Sequence, residues 1–130
     1  MQTDREAVVA DLEAGVGTML RMGSGAVDVA VVVVEASAKS IEVGHRLVEL
    51  ARERQVPRVV VVANRVRDDD DVERLQKEFP DVEVVPVPDE PAVVEADRKG
   101  LAPLDLAPDA PGIVALRRLA ESLPNGRRPA

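Results

Sequence analysis

The sequence has 130 residues, 45% hydrophobic and 32% charged, a balance that fits one globular domain and excludes a disordered chain. It contains no cysteine, which excludes disulfides, thiolate metal sites and cysteine nucleophiles within it. A net charge of −7 with no large basic face argues against nonspecific binding to nucleic acid or an anionic membrane, and leaves a small-anion pocket open.

Aromatic residues amount to Phe79 alone, so valine, leucine and alanine must fill the core. Four apolar runs rich in β-branched residues read as strands. They are Ala7–Ala10, Val27–Val34 (broken only by Asp28), Val59–Ala63 and a weaker run from Val82 to Val87. Continuous rather than alternating, they suit strands covered on both faces of a parallel sheet. Between the second and third, Ile41, Gly44, Leu47, Val48 and Ala51 share one helical face, with Ser37 or Ser40 able to cap its start and Pro57 ending the connection. A second helix is expected from about Asp70 to Glu78, acidic at its start and stopped by Pro80. A third covers Pro91–Lys99, with Gly100 as its stop, and a last one carries Ile113, Leu116, Leu119, Ala120 and Leu123. Residues 102–111 read as a proline-rich loop. The expected organisation is a single α/β domain over residues 1–124 and a loose tail at 125–130. The longest unbroken apolar run, Val29–Val34, is far short of the ~20 residues that span a bilayer, and no signal peptide or lipidation box opens the chain. The expected location is the cytoplasm.

In parallel sheets of this kind ligands bind beyond the carboxyl ends of the strands. Four segments follow strands. Asp11 to Gly17 places a carboxylate at a strand end before small residues, as if to orient a Mg²⁺-bound water beside a phosphate; it also reads as a solvated turn. Asn64-Arg65-Val66 offers a side-chain amide able to pair with a purine edge, or an asparagine that closes a turn. Glu35-Ala36-Ser37 reads as strand exit and helix cap. Val87-Pro88-Asp89-Glu90 suits either a loop packed over a base or a proline-bounded turn. His45 stands mid-helix among charged neighbours and reads as a surface residue. Asp68–Asp71 lacks the spaced ligands of a calcium loop and reads as a solvated helix start. No dinucleotide fingerprint and no G-x-x-x-x-G-K-[ST] phosphate loop is present; none of Lys39, Lys77 and Lys99 follows a glycine.

Together these segments resemble one family. Val8-Val9-Ala10-Asp11-Leu12-Glu13-Ala14-Gly15 is similar to the D-x-E-A-G segment of the MinD/ParA-like P-loop ATPases, above all those that insert nickel during carbon monoxide dehydrogenase maturation. Val27-Asp28 leads the next strand, and Glu35-Ala36-Ser37 with Ser40 resembles E-P-S-x-x-S. Ala63-Asn64-Arg65-Val66 resembles A-N-K-V, and Val87–Glu90 with Val93, Glu95, Ala96 and Asp97 resembles I-P-Y-D-x-x-V-x-E-A-D. The resemblance runs from about Ala7 to Leu123. It implies a mainly parallel sheet flanked by helices, a partial P-loop NTPase fold, with ATP or ADP and Mg²⁺ as cofactors and nucleotide-driven dimerisation. By position it implies that Asp11 is the switch acid near Mg²⁺ and the attacking water, acting on the metal indirectly. Gly15 would sit beside the γ-phosphate, and Asn64 would read adenine with the Pro88 loop near the base. Glu13, Arg65 and Glu90 fall among the cofactor-binding positions.

The departures are equally specific. The family's N-terminal half is missing, with its phosphate loop, its two lysines and the C-x-C of the nickel-insertion members, so no nickel site is expected in this chain. Gly17 and Thr18 stand where the family continues Glu-His after Gly15, and Asp89 replaces an aromatic. In the family the phosphate-loop strand lies between the D-x-E-A-G strand and the strand corresponding to Val29–Val34, which leaves a gap at the centre of the sheet. Unpaired strand edges are costly, so the gap is expected to be closed by local re-pairing, by a second copy or by a separate N-terminal half. The expected chain binds nucleotide and is inactive alone, with a metalloenzyme as possible client. The alternative is a degenerate, non-catalytic α/β module that binds a partner protein.

Overall fold

The structure, a computed structural model, describes residues 8–12 and 27–123. Strand β1 (Val29–Val34) is VAVVVV, six residues of high β propensity. Helix α1 (Ala38–Glu53) starts where Ser37 Oγ accepts from the Ser40 amide at 3.2 Å, while Ser40 Oγ accepts from the Glu35 amide at 2.8 Å. It ends in a left-handed turn at Gln55, φ 59°, with the Gln55 amide on Arg52 O and the Val56 amide on Ala51 O, both 3.0 Å. Strand β2 (Arg58–Val66) follows, then α2 (Asp69–Glu78), β3 (Glu83–Pro88), α3 (Pro91–Lys99), the short α4 (Pro103–Leu106) and α5 (Pro111–Ser122). Gly100, φ 67°, closes α3 as expected. The proline-rich stretch expected as loop contains α4, which begins at Pro103, a position where a proline's missing N–H costs nothing.

The sheet order is β1-β2-β3, all parallel, with Val29 opposite Arg58, Val34 opposite Ala63 and Val60 opposite Glu83. Both crossovers put their helices on one face. There Val32, Val34, Val61, Ala63 and Val66 pack with Ile41, Val48, Leu75 and Phe79. The other face of β2 and β3 buries Val60, Val62 and Val87 under Leu119 of α5. Arg58 fastens the amino ends of β2 and β3, donating to both Glu83 oxygens at 3.0 and 3.2 Å and to Ser122 O at 2.8 Å. His45, at the surface as expected, stacks on Phe79 with centroids 4.4 Å apart and meets Glu78 at 3.0 Å, linking α1 to α2.

One expectation fails. Val8–Ala10 is not a strand; Ala7 lies outside the described residues. Val8 and Val9 are 92% and 88% exposed, and no described strand lies beside them. A β-branched run becomes a strand only when a neighbour satisfies its backbone, and among the described residues β1 pairs with β2 alone. The local re-pairing expected to close the gap is therefore not found among them.

Candidate functional site

The three strands deliver their exits to one end of the sheet. β1 ends at Glu35, β2 runs through Asn64-Arg65-Val66, and β3 ends at Pro88-Asp89-Glu90. The β2 exit is irregular. Pairing with β3 slips between Ala63 and Val66, and Arg65 takes φ 55°, a left-handed conformation uncommon for a side-chain-bearing residue. At this irregularity Arg65 reaches to both neighbouring strand exits. Its Nε donates to Asp89 Oδ1 at 3.2 Å, and Nη1 lies 3.6 Å from Glu35 Oε1. The guanidinium thus ties the exits of all three strands, reinforced by the Asp89 amide on Val66 O at 3.0 Å. These pairs are about half exposed, so each is worth no more than ~1 kcal/mol; their effect is to fix the spacing of the loops.

Asn64 and Pro88 are both half-buried at this end, and the Asn64 side-chain amide has no hydrogen-bonding partner among the described residues. The Glu90 carboxylate has two backbone partners. Its Oε1 accepts from the Gly112 amide at 3.0 Å and Oε2 from the Ala92 amide at 3.4 Å, so it caps α3 and anchors the start of α5. Beside the β2 exit, Arg67 donates through its backbone amide and Nε to Asp71 Oδ2, each at 3.1 Å, and those bonds hold the Asp71 carboxyl below the usual carboxylate range.

Asp11 is elsewhere. It is exposed, and its neighbour Leu12 packs with Leu50 and Ala51 at the end of α1, a cluster that also contacts Ala30 and Val59 near the amino ends of the strands. The six residues of β1 span roughly 20 Å at about 3.3 Å each, so the structure does not bring Asp11 to Asn64, Arg65, Pro88 and Glu90. Glu13 and Gly15 lie outside the described residues. Sequence reading did not single out the pairing of Glu35 and Asp89 through Arg65. The signal was present as one charged residue at each strand exit, but the β2 slip that joins them is a tertiary feature.

The residues present fit one part of the implied cofactor. A half-buried amide without a partner among the described residues, beside a proline loop, suits a purine base. The phosphate and Mg²⁺ part fits less well. Among the described residues no group of three or more His, Asp or Glu side chains is arranged to hold a metal ion, and the strand exits carry Glu35, Asp89 and Glu90 around one arginine. No described helix is long and apolar enough to cross a membrane.

Comparison with known proteins gives two consistent findings. No family model matches the sequence. Over 105 residues the chain is 29% identical to the carbon monoxide dehydrogenase accessory protein CooC of Rhodospirillum rubrum, a match covering 80% of this chain and 40% of that protein. The fold superposes on the MinD cell division protein of Aquifex aeolicus with a TM-score of 0.59 and 25% identity, covering 77% of this chain and 47% of that one. A chain of the MinC:MinD cell division protein complex from the same organism gives a TM-score of 0.59 at 24% identity, covering 78% of this chain and 47% of that one. The chain therefore spans less than half the length of each of these proteins. In sequence it is similar to CooC and in fold to MinD, and its three parallel strands with flanking helices form part of a MinD/ParA-like P-loop ATPase fold.

Proposed function

We propose that this chain is the base-binding portion of a MinD-like ATP site of the CooC type, working in the cytoplasm as part of a larger assembly that serves metallocentre maturation. The observation that carries the proposal is the half-buried Asn64 amide, without a partner among the described residues, beside Pro88 at the carboxyl end of a parallel sheet similar to MinD. In this reading Asn64 pairs with the adenine edge, Pro88 packs near the ring, and Arg65 holds the Glu35 and Asp89 loops apart at a fixed width.

The assignment of Asp11 as switch acid, with Glu13 and Gly15 beside the phosphates, belongs to the completed sheet. It requires the exposed Val8–Ala10 stretch of the expected Ala7–Ala10 strand to become a strand, with Asp11 at its end. The completing partner is an N-terminal half or a second copy, and of the two only an N-terminal half can bring the phosphate loop that this sequence lacks. Phosphoryl transfer depends on positioning and charge stabilisation, so this chain alone does not hydrolyse ATP.

Equilibrium dialysis with labelled adenosine and ATP tests the reading. The expected result is weak adenosine binding that Asn64→Ala removes and Glu90→Gln leaves intact. Absence of binding to both the chain and its reconstituted complex would reject it. ATP hydrolysis by the purified chain, lost on Asp11→Ala, would reject its dependence on a partner.

A further inference from the structure

The β2 exit puts charge beside the Asn64 amide. Ala63 pairs with Pro86 and Val66 with Pro88, so two residues of β2, Asn64 and Arg65, stand against one of β3, Val87. A bulge of this kind bends the strand and interrupts its pairing. The amide and the guanidinium therefore belong to consecutive residues, with Cα atoms about 3.8 Å apart. The guanidinium is already engaged. Asp89 Oδ1 lies 3.2 Å from Nε, and Glu35 Oε1 lies 3.6 Å from Nη1. One positive charge stands between two negative ones, and all three side chains are at least half exposed among the described residues.

The other cations at this end have partners as well. Arg67 is held by Asp71, Arg74 Nη1 donates to Ala36 O at 3.1 Å, and Lys39 lies 4.0 Å from Glu42. With Asp68–Asp71 and Glu90 added, carboxylates outnumber cations at the strand exits and helix starts.

We infer that Glu35 and Asp89 are specificity-determining residues: they make this end of the sheet take the uncharged nucleoside part of its ligand and turn phosphate away. The inference rests on the base-binding reading of Asn64 and goes beyond it, because the amide by itself reads the base of adenosine, AMP and ATP alike. An unpaired Arg65 guanidinium would be a seat for phosphate, to which arginine donates through two parallel N–H groups. With Glu35 and Asp89 in place the three groups together are negative. ATP is thereby held to one polarity, base at Asn64 and phosphates pointing away from the strand exits.

Equilibrium dialysis of the purified chain with labelled adenosine, AMP and ATP tests this, in EDTA so that no divalent cation masks the phosphates. Ionic strengths of about 0.01 M and about 1 M set the Debye length near 30 Å and near 3 Å. The expected order of affinity at low salt is adenosine, AMP, ATP, with adenosine at least about fivefold tighter than ATP and the gap closing at high salt. Glu35→Gln and Asp89→Asn, near-isosteric changes at half-exposed positions, each narrow the ratio about threefold or more. Arg65→Gly widens it, since glycine keeps the left-handed backbone at no steric cost and leaves two carboxylates without their cation. Glu53→Gln, which removes a charge in the last turn of α1 at the other end of the sheet, leaves the ratio unchanged. A merely structural loosening would move adenosine and ATP together and not their ratio.

ATP bound as tightly as adenosine, or a ratio indifferent to both Glu35→Gln and Asp89→Asn, would overturn the inference. Adenosine binding lost on Asn64→Ala would still uphold the base site in that case. Absence of adenosine binding rejects the base site, and this inference with it.

Discussion

Glu90 and Gly112 are locked together across 22 residues of sequence. The Gly112 amide donates to Glu90 Oε1 at 3.0 Å, and a Cβ on Gly112 would stand 2.7 Å from Glu90 Cβ and 3.3 Å from Pro88 O. The glycine lets α5 start hard against the β3 exit, which holds the Pro88 loop in place. Gly112→Ala should therefore destabilise the chain by about 1–3 kcal/mol through overpacking. Glu90→Ala should cost about 1 kcal/mol by removing a cap, and Glu90→Gln less, since its amide oxygen still accepts. Urea unfolding of the three variants checks the order. A neutral Gly112→Ala would mean that the contact relaxes freely.

At Gly44 two effects oppose each other. Alanine gains about 1 kcal/mol of helix propensity inside α1. Its Cβ, however, would fall 2.7 Å from Val34 Cγ2 and 3.0 Å from Phe79 Cζ, both buried in the core. Overpacking of about 1–3 kcal/mol should win, giving a net loss of stability for Gly44→Ala in thermal or urea unfolding. A gain would show that Val34 and Phe79 can repack.

The end of α1 predicts the opposite sign. Gln55 occupies the left-handed position that glycine adopts without steric cost, between the Arg52 and Ala51 carbonyl bonds that close the helix. Gln55→Gly should stabilise the chain by about 0.5–1 kcal/mol, the balance of relieved steric cost over added unfolded-state entropy. A lower urea midpoint in this variant would contradict it.

Asp71 supplies a pH-dependent contribution. Hydrogen bonds from Arg67 place its folded pKa below the unfolded value. Its stabilisation is thus complete above the ordinary aspartate range and is lost as pH falls through the folded pKa. Asp71→Asn should lower the urea midpoint at neutral pH, and the gap from the parent chain should close as the solution is acidified. A gap independent of pH would assign the effect to packing.

Within the sheet and its helices, the elements were legible because each carries its own local instruction. Glu83–Pro88, Pro91–Lys99 and the α2 start follow from β-branched runs, proline at the first helical turn and acidic residues at a helix N-terminus. The same reasoning failed at Val8–Ala10, where β propensity had no neighbouring strand among the described residues to pair with. The candidate site was half legible. Asn64 and Pro88 follow from strand ends, whereas the Arg65 bridge and the capping role of Glu90 depend on partners 22 to 30 residues away.

The amino-acid sequence by itself determined a parallel α/β chain with its exits at Glu35, Asn64 and Pro88, because strand and helix periods, caps and breakers act over a few residues. Tertiary structure alone decided which exits are tied together, that Asp11 lies at the other end of the sheet, and that among the described residues β1 is an edge with Val31 and Val33 partly exposed. Those facts depend on which segments are present to pair and pack, and strand pairing is a contact between distant parts of a chain that no local pattern encodes.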